Sequence, residues 1–215
     1  MKITDKITLT NEDNMALMAR YEDNYFDIAI VDPPYGIGDF TMGNPNKLDA
    51  KFNYEWNEET PSKYYFVELA RVSKEQIIWG ANYYNCFNGN GGAIIWYKDV
   101  SHPNMSKCEI ASYSRLKKVD YVRLDWAATD KVNRLKWDSD INIHPCQKPI
   151  SLYEWLLMNY AKEGDKILDT HLGSGSIAIA AHNLKFELVG CELDTEYYQA
   201  AVKRLKQHIK QLTLF

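Results

Sequence analysis

Apolar residues along this chain fall into two patterns. Short solid runs occur at Phe26-Asp27-Ile28-Ala29-Ile30-Val31, Gln76-Ile77-Ile78-Trp79, Ala93-Ile94-Ile95-Trp96-Tyr97, Lys166-Ile167-Leu168-Asp169 and residues 187–191. Runs of this kind read as strands covered on both faces. Ile7-Thr8-Leu9 and residues 109–114 predict two more. Helices are expected over residues 14–20, with Asn11 or Asp13 as the cap, over 61–73, opened by Pro61, and over 176–184. Another is expected over 149–162, with Leu152, Trp155, Leu156 and Tyr160 roughly on one face. A last helix, capped by Asp194, sets Tyr197, Ala201, Leu205 and Ile209 at four-residue spacing. Strands alternating with helices predict an α/β fold, a mostly parallel, doubly wound sheet with helices on both faces. Residues 36–60 are rich in Gly, Asn, Pro, Asp and Lys without a period, and are expected to form a long, flexible functional loop. Residues 115–143 predict no clear element.

The length of 215 residues fits one domain. No apolar window is long enough to span a bilayer. The start, Met1-Lys2-Ile3-Thr4-Asp5, lacks the apolar core of a secretory signal. Four scattered cysteines, with no C-x-x-C pair, argue against a zinc ribbon or a disulfide framework and fit a reducing cytoplasm. The net charge of −4 does not single out a nucleic-acid binder, but its distribution is uneven. Residues 98–136 carry nine basic and five acidic side chains, against eight and fourteen in residues 1–97. A local basic excess is what contact with phosphates requires.

Two segments carry candidate chemistry. In Leu168-Asp169-Thr170-His171-Leu172-Gly173-Ser174-Gly175-Ser176, glycines let backbone approach a ligand between a strand and a helix N-terminus. Glu192 lies 19 residues after Gly173 at the next strand tip, placed to bond a ribose diol. Together they predict a nucleotide-type cofactor without saying which. Gly173-Ser174-Gly175-Ser176-Ile177-Ala178 also matches the dinucleotide fingerprint G-x-G-x-x-A. In Asp32-Pro33-Pro34-Tyr35-Gly36, after a buried strand, the Asp32 carboxylate and the Pro33 carbonyl are two acceptors beside the flat Tyr35 ring. That set suits a planar ring bearing an exocyclic NH₂, with stacking that contributes roughly 1–3 kcal/mol.

At these residues the sequence resembles the amino-group DNA methyltransferases that use S-adenosylmethionine, whose hallmark is [DNS]-P-P-[YFW]. The glycine loop resembles their D-P-F-x-G-x-G-[ST] motif, with Thr170 and His171 in place of Pro and Phe. His144-Pro145-Cys146-Gln147-Lys148-Pro149 resembles their H-P-T-Q-K-P, and Asn11-Glu12-Asp13 their N-terminal G-D element. The order of these motifs is similar to that of the β-class, a circularly permuted version of the Rossmann-like methyltransferase sheet. Trp79-Gly80-Ala81-Asn82-Tyr83, Trp96-Tyr97-Lys98 and Glu109 also resemble small phage-type members.

The resemblance implies transfer of a methyl group to N6 of a flipped-out adenine, with no metal and no covalent enzyme intermediate. It implies catalysis by Asp32, Pro33, Pro34 and Tyr35. It implies a cofactor site of Asp13, Asp32, Lys148, Asp169, Thr170, His171, Gly173, Ser174, Gly175, Ser176, Glu192 and Leu193. Lys148 would lie near the methionine carboxylate or a DNA phosphate, and Asp169 near the methionine ammonium. The basic stretch falls where family members recognise their target, so Arg115, Lys117, Lys118, Arg123, Lys131, Arg134 and Lys136 are candidate DNA contacts, within a small recognition region over 98–143. The setting implied is the cytoplasm of a bacterium, on nucleoid or phage DNA, as monomer or homodimer. The ending Gln211-Leu212-Thr213-Leu214-Phe215 resembles the peptide by which bacterial replication proteins bind the sliding clamp, although Leu212 also continues the helix face of Leu205 and Ile209. Other readings stay open: the same chemistry on cytosine N4 or on RNA, a dinucleotide oxidoreductase resting on the glycine fingerprint and Glu192, and a non-catalytic DNA-binding protein.

Overall fold

A computed structural model describes residues 1–38, 57–87, 91–98, 106–124, 143–144 and 146–212. Its strands are β1 (Ile7–Asn11), β2 (Phe26–Val31), β3 (Ser73–Trp79), β4 (Ala93–Tyr97), β5 (Cys108–Tyr113), β6 (Val119–Arg123), β7 (Lys166–Asp169) and β8 (Glu187–Glu192). Its helices are α1 (Asn14–Met18), α2 (Lys63–Val72), α3 (Ala81–Tyr84), α4 (Ile150–Tyr160), α5 (Ser176–Asn183) and α6 (Thr195–Leu212). The strands form one sheet in the order β1-β8-β7-β2-β3-β5-β4-β6. Neighbours are parallel except where β5 pairs with β3 and β4. The doubly wound α/β expectation holds. No described helix is long and apolar enough to cross a membrane.

Alternation within the runs builds two cores. Ile28 and Ile30 point into the layer under α4, α5 and α6, while Ala29 and Val31 point into the layer under α1 and α2. Asp13 caps α1, its Oδ1 accepting the Met15 and Ala16 N–H groups at 2.9 and 3.0 Å. The helix expected from Pro61 to about Ser73 is α2, from which the chain passes straight into β3 at Ser73. One expectation needs correction. Residues 115–143, read as without an element, contain β6, an edge strand that buries only Val122 and exposes Val119 and Tyr121, so no solid apolar run marks it.

The topology gathers strand ends at one edge. β1, β2, β3, β4, β7 and β8 all finish at the carboxyl edge, where parallel α/β proteins bind ligands. β5 runs the other way, so its start reaches that edge, with Glu109 opposite Trp96. The turn between β5 and β6 lies at the opposite, amino edge: Ser114 donates to the Gln76 carbonyl, and Ala93 to that of Lys118.

Candidate active site at the carboxyl edge

β2 and β7 are hydrogen-bonded neighbours, Ala29 opposite Leu168. Asp32 and the Asp169-to-Ser176 loop therefore leave the sheet side by side. Asp32, Pro33, Pro34 and Tyr35 share one cleft of about 700 Å³ with Asp13, Lys148, Thr170, His171, Gly173, Ser174, Glu192 and Leu193. Asp169, Gly175 and Ser176 do not line it. Two segments encoded far apart thus open into the same space.

On the β2 side every charge has a partner. Asp32 Oδ2 is bonded to the Lys148 ammonium, and Oδ1 accepts the Tyr35 hydroxyl at 2.7 Å. Lys148 also pairs with Glu109 Oε2 at 3.1 Å, and the other oxygen of Glu109 is held by Lys98. Two carboxylates and two ammonium groups close a neutral, largely buried network. Burial raises the proton affinity of Asp32; Lys148 opposes this and Glu109 adds to it, and the balance stays above the ordinary carboxylate range. Burial also pushes Glu109 up, but Lys148 and Lys98 outweigh it and hold Glu109 below that range. Lys148, depressed by burial, is lifted above the usual lysine range by Asp32 and Glu109.

Aromatic groups and one amide frame this network. Tyr83 stacks on Tyr35 with ring centroids 4.8 Å apart. The Pro33 carbonyl, expected as a free acceptor, already takes the Tyr84 hydroxyl at 2.5 Å, which also reaches the Pro34 carbonyl at 2.9 Å. Gly80, at φ +74°, gives way to the Tyr35 ring: a Cβ there would lie 2.4 Å from Tyr35 Cε1. Asn57, buried, accepts the Tyr35 N–H at 2.8 Å and donates to the Gly38 carbonyl at 2.9 Å, pinning the bend to the far end of the loop.

The β7 side is built differently. Glu192 accepts the Gly173 N–H at 2.8 Å and the Asp194 N–H at 3.0 Å, so the strand tip braces the glycine loop. From behind, buried Arg204 of α6 donates to the Ser174 carbonyl at 3.0 Å and Ser176 Oγ at 2.9 Å. Gly175 has φ +73°, and a Cβ there would press on Ala201 at 3.1 Å. Asp169 accepts the His171 N–H at 3.0 Å and has no ion pair among the described residues; burial raises its pKa to about 8, against the opposing His171 N–H and the Lys148 charge. His171 is held at both nitrogens, by Asn14 at 3.1 Å and by Thr170 Oγ1 at 3.0 Å, and burial lowers its pKa to about 4.

The structure does not bring all the expected residues here. Arg115, Lys117 and Lys118 lie at the amino edge and line a separate hollow with Tyr113, Asn159 and Tyr160. Arg115 is paired there with Glu75 at 2.7 Å. From Gln76 to Gly80 the strand spans about 13 Å, so these three candidate DNA contacts stand at the edge away from the cleft. Arg123, at the carboxyl end of β6, lies over the Tyr97 ring. Lys131, Arg134 and Lys136 are outside the described residues, as are most of the 36–60 loop and residues 213–215 of the tail. Lys148, expected beside cofactor or DNA, is buried against Asp32. Glu109, Lys98, Tyr84, Gly80 and Asn57 did not figure among the expected site residues.

A glycine-loop cleft joined to a buried Asp-Lys centre at the carboxyl edge of a Rossmann-like sheet defines a ligand-binding α/β protein with an acceptor for N–H groups. The N6/N4 DNA methylase family model matches residues 73–203, more than half the chain, and the protein belongs to that family. The matched span begins after β2, so Asp32 lies outside it. The chain is 26% identical to the type II methyltransferase M.HpaI of Haemophilus parainfluenzae, covering 86% of this chain and 69% of that one. Its fold is similar to that of M1.HpyAVI, solved as a complex with SAM, at a TM-score of 0.57 and 21% identity, covering 92% and 99% of the two chains. It is also similar to the PvuII DNA methyltransferase, described as cytosine-N4-specific, at 0.63 and 12%, covering 96% and 91%.

Proposed function

We propose that this protein is an S-adenosylmethionine-dependent DNA methyltransferase that modifies N6 of an adenine turned out of the duplex. The observation that carries this reading is the meeting of Asp32 and the glycine loop in one cleft. The order of the motifs along the chain is read as the permuted, β-class order.

The residues present fit the cofactor. Asp169, buried with no ion pair among the described residues, suits an arriving ammonium group; the braced glycine loop offers close backbone approach, and His171 supplies a flat wall. S-adenosylmethionine, when bound, supplies an electrophilic methyl group on a sulfonium. The chain's own residues act on the amine. Asp32, an acceptor with lone pairs beyond those used by Lys148 and Tyr35, takes one N–H. The Pro33 carbonyl has a second lone pair for the other. Two acceptors draw the amine hydrogens out of the ring plane and free the nitrogen lone pair. The nitrogen sheds one proton as it gains the methyl group, and Asp32, more basic than Glu109, is the acceptor. A base extends the Tyr83-Tyr35 stack, offsetting part of the few kcal/mol that flipping costs. Orientation of this kind is equivalent to effective concentrations of about 10⁵ M or more.

The likeness to a cytosine-N4-specific fold favours N4 of cytosine as the second reading. Tritiated methyl transfer to unmethylated DNA, then nucleoside analysis, tests both. N6-methyladenine is expected, with loss of transfer in Asp32→Asn. N4-methylcytosine selects the second reading, and wild-type transfer by Asp32→Asn rejects the role of this centre.

A further inference from the structure

The geometry points to Glu109 as a positioning residue for methyl transfer: from β5 it holds the Lys148 ammonium that Asp32 also bonds, and so fixes the orientation and charge of the carboxylate that receives the target amine. This rests on the reading of Asp32 given above.

Three features support it. Lys148 has two carboxylate partners, Asp32 and Glu109, and its side chain is 3% exposed, so its place is set by both. Glu109 is anchored by Lys98 at the end of β4, with a side chain only 9% exposed. It therefore acts as a fixed post rather than a mobile counter-ion. Finally, Tyr35 Oη lies 2.7 Å from Asp32 and 3.4 Å from Glu109. Glu109 thus flanks both groups that bond Asp32.

The groups around Asp32 are identifiable. Lys148 and Cys146 face it from the segment before α4, Tyr153 from α4, Glu109 from β5, Asp169 from β7, Tyr84 from α3 and Tyr35 from its own bend. Lys98 stands behind Glu109. Among them Glu109 is the negative charge that most raises the proton affinity of Asp32. Removing that charge lowers it, while removing a merely structural contact does not.

The test is the pH dependence of methyl transfer by the full chain, alongside cofactor affinity by calorimetry and folding by circular dichroism. In Glu109→Gln the acid limb is expected to move to lower pH, with kcat down about 10- to 100-fold, as for a small misplacement of a reacting group. Cofactor affinity should stay within about twofold. Lys148→Gln should move the limb upward. Glu109→Asp retains the charge but shortens the reach; its limb should remain in place with kcat several-fold down, and it carries the test if the glutamine variant does not fold. An acid limb unmoved in Glu109→Gln, or wild-type kcat in Glu109→Asp, overturns the proposal. Activity surviving in Asp32→Asn overturns the reading beneath it instead, so the two failures are told apart.

Discussion

The two halves of the cleft handle buried charge in opposite ways. Around Asp32, two carboxylates and two ammonium groups neutralise each other. Around Asp169, the carboxylate is more deeply buried and, among the described residues, its one hydrogen bond comes from a backbone N–H. A buried ion without a partner is costly, and the usual result is a shifted pKa. Asp169 follows that rule, at about 8. The half assigned to the target amine is therefore complete before any ligand arrives, whereas in the half assigned to the cofactor Asp169 has no ion pair among the described residues. A sulfonium amino acid brings its own ammonium group, so binding completes the second half.

The largest test of this contrast removes the charge shared by Asp32 and Glu109. Lys148→Met leaves two buried carboxylates facing each other. Breaking a buried pair from one side costs about 3–5 kcal/mol, and urea unfolding should show a loss of that size near neutral pH. The loss should shrink in acid, where the two carboxylates take up protons. A loss below about 1 kcal/mol would mean that water reaches this network and screens it.

Asp169→Asn should have the opposite sign. The Asp169 carboxyl has its folded pKa raised from 3.8 to about 8, so the folded state holds the proton more tightly than the unfolded chain. Its contribution to stability is present below about pH 4 and is lost as pH rises towards 8. The ligand-free asparagine variant should therefore be more stable than wild type above pH 8, by several kcal/mol at about 1.4 kcal/mol per unit of the pKa rise, and similar to it in acid. Its affinity for S-adenosylmethionine should drop at least about tenfold by calorimetry. A variant less stable than wild type at high pH would break the contrast between the two halves.

Much of this site was legible because its framework is local. A solid apolar run followed by Asp32-Pro33-Pro34-Tyr35, and a strand followed by Gly173-Ser174-Gly175, mark their positions in a few consecutive residues. Both became strand ends at the edge expected to bind ligands. Glu109 was not legible as a partner of Lys148, because their meeting depends on β5 running antiparallel between β3 and β4. Gly80 is one glycine after a strand until the Tyr35 ring is seen against it. Asn57 lies 22 positions along the chain from the Tyr35 N–H it accepts. The basic excess over 98–136 was real as composition, but a count of charges does not say which edge of the sheet each one occupies. The turn at 114–118 carries three of those cations to the far edge.

The smallest effect concerns His171, which stands where the resembling motif has phenylalanine. Its two ring nitrogens are engaged by Asn14 and Thr170, and Thr170 is bonded in turn to the Tyr65 hydroxyl at 2.7 Å. The Asn14 amide donates to Nε2, which assigns the proton to Nδ1. Neither nitrogen is then left for a ligand, and with a pKa near 4 the ring stays neutral across the working range. The ring therefore acts as an aromatic plane, and His171→Phe should keep cofactor affinity within about threefold, while His171→Ala loses about tenfold or more. The phenylalanine variant should still lose about 1–3 kcal/mol of stability, because Asn14 and Thr170 each lose a partner. If phenylalanine and alanine weaken cofactor binding equally, an imidazole nitrogen contacts the ligand, and the cofactor half must rearrange on binding.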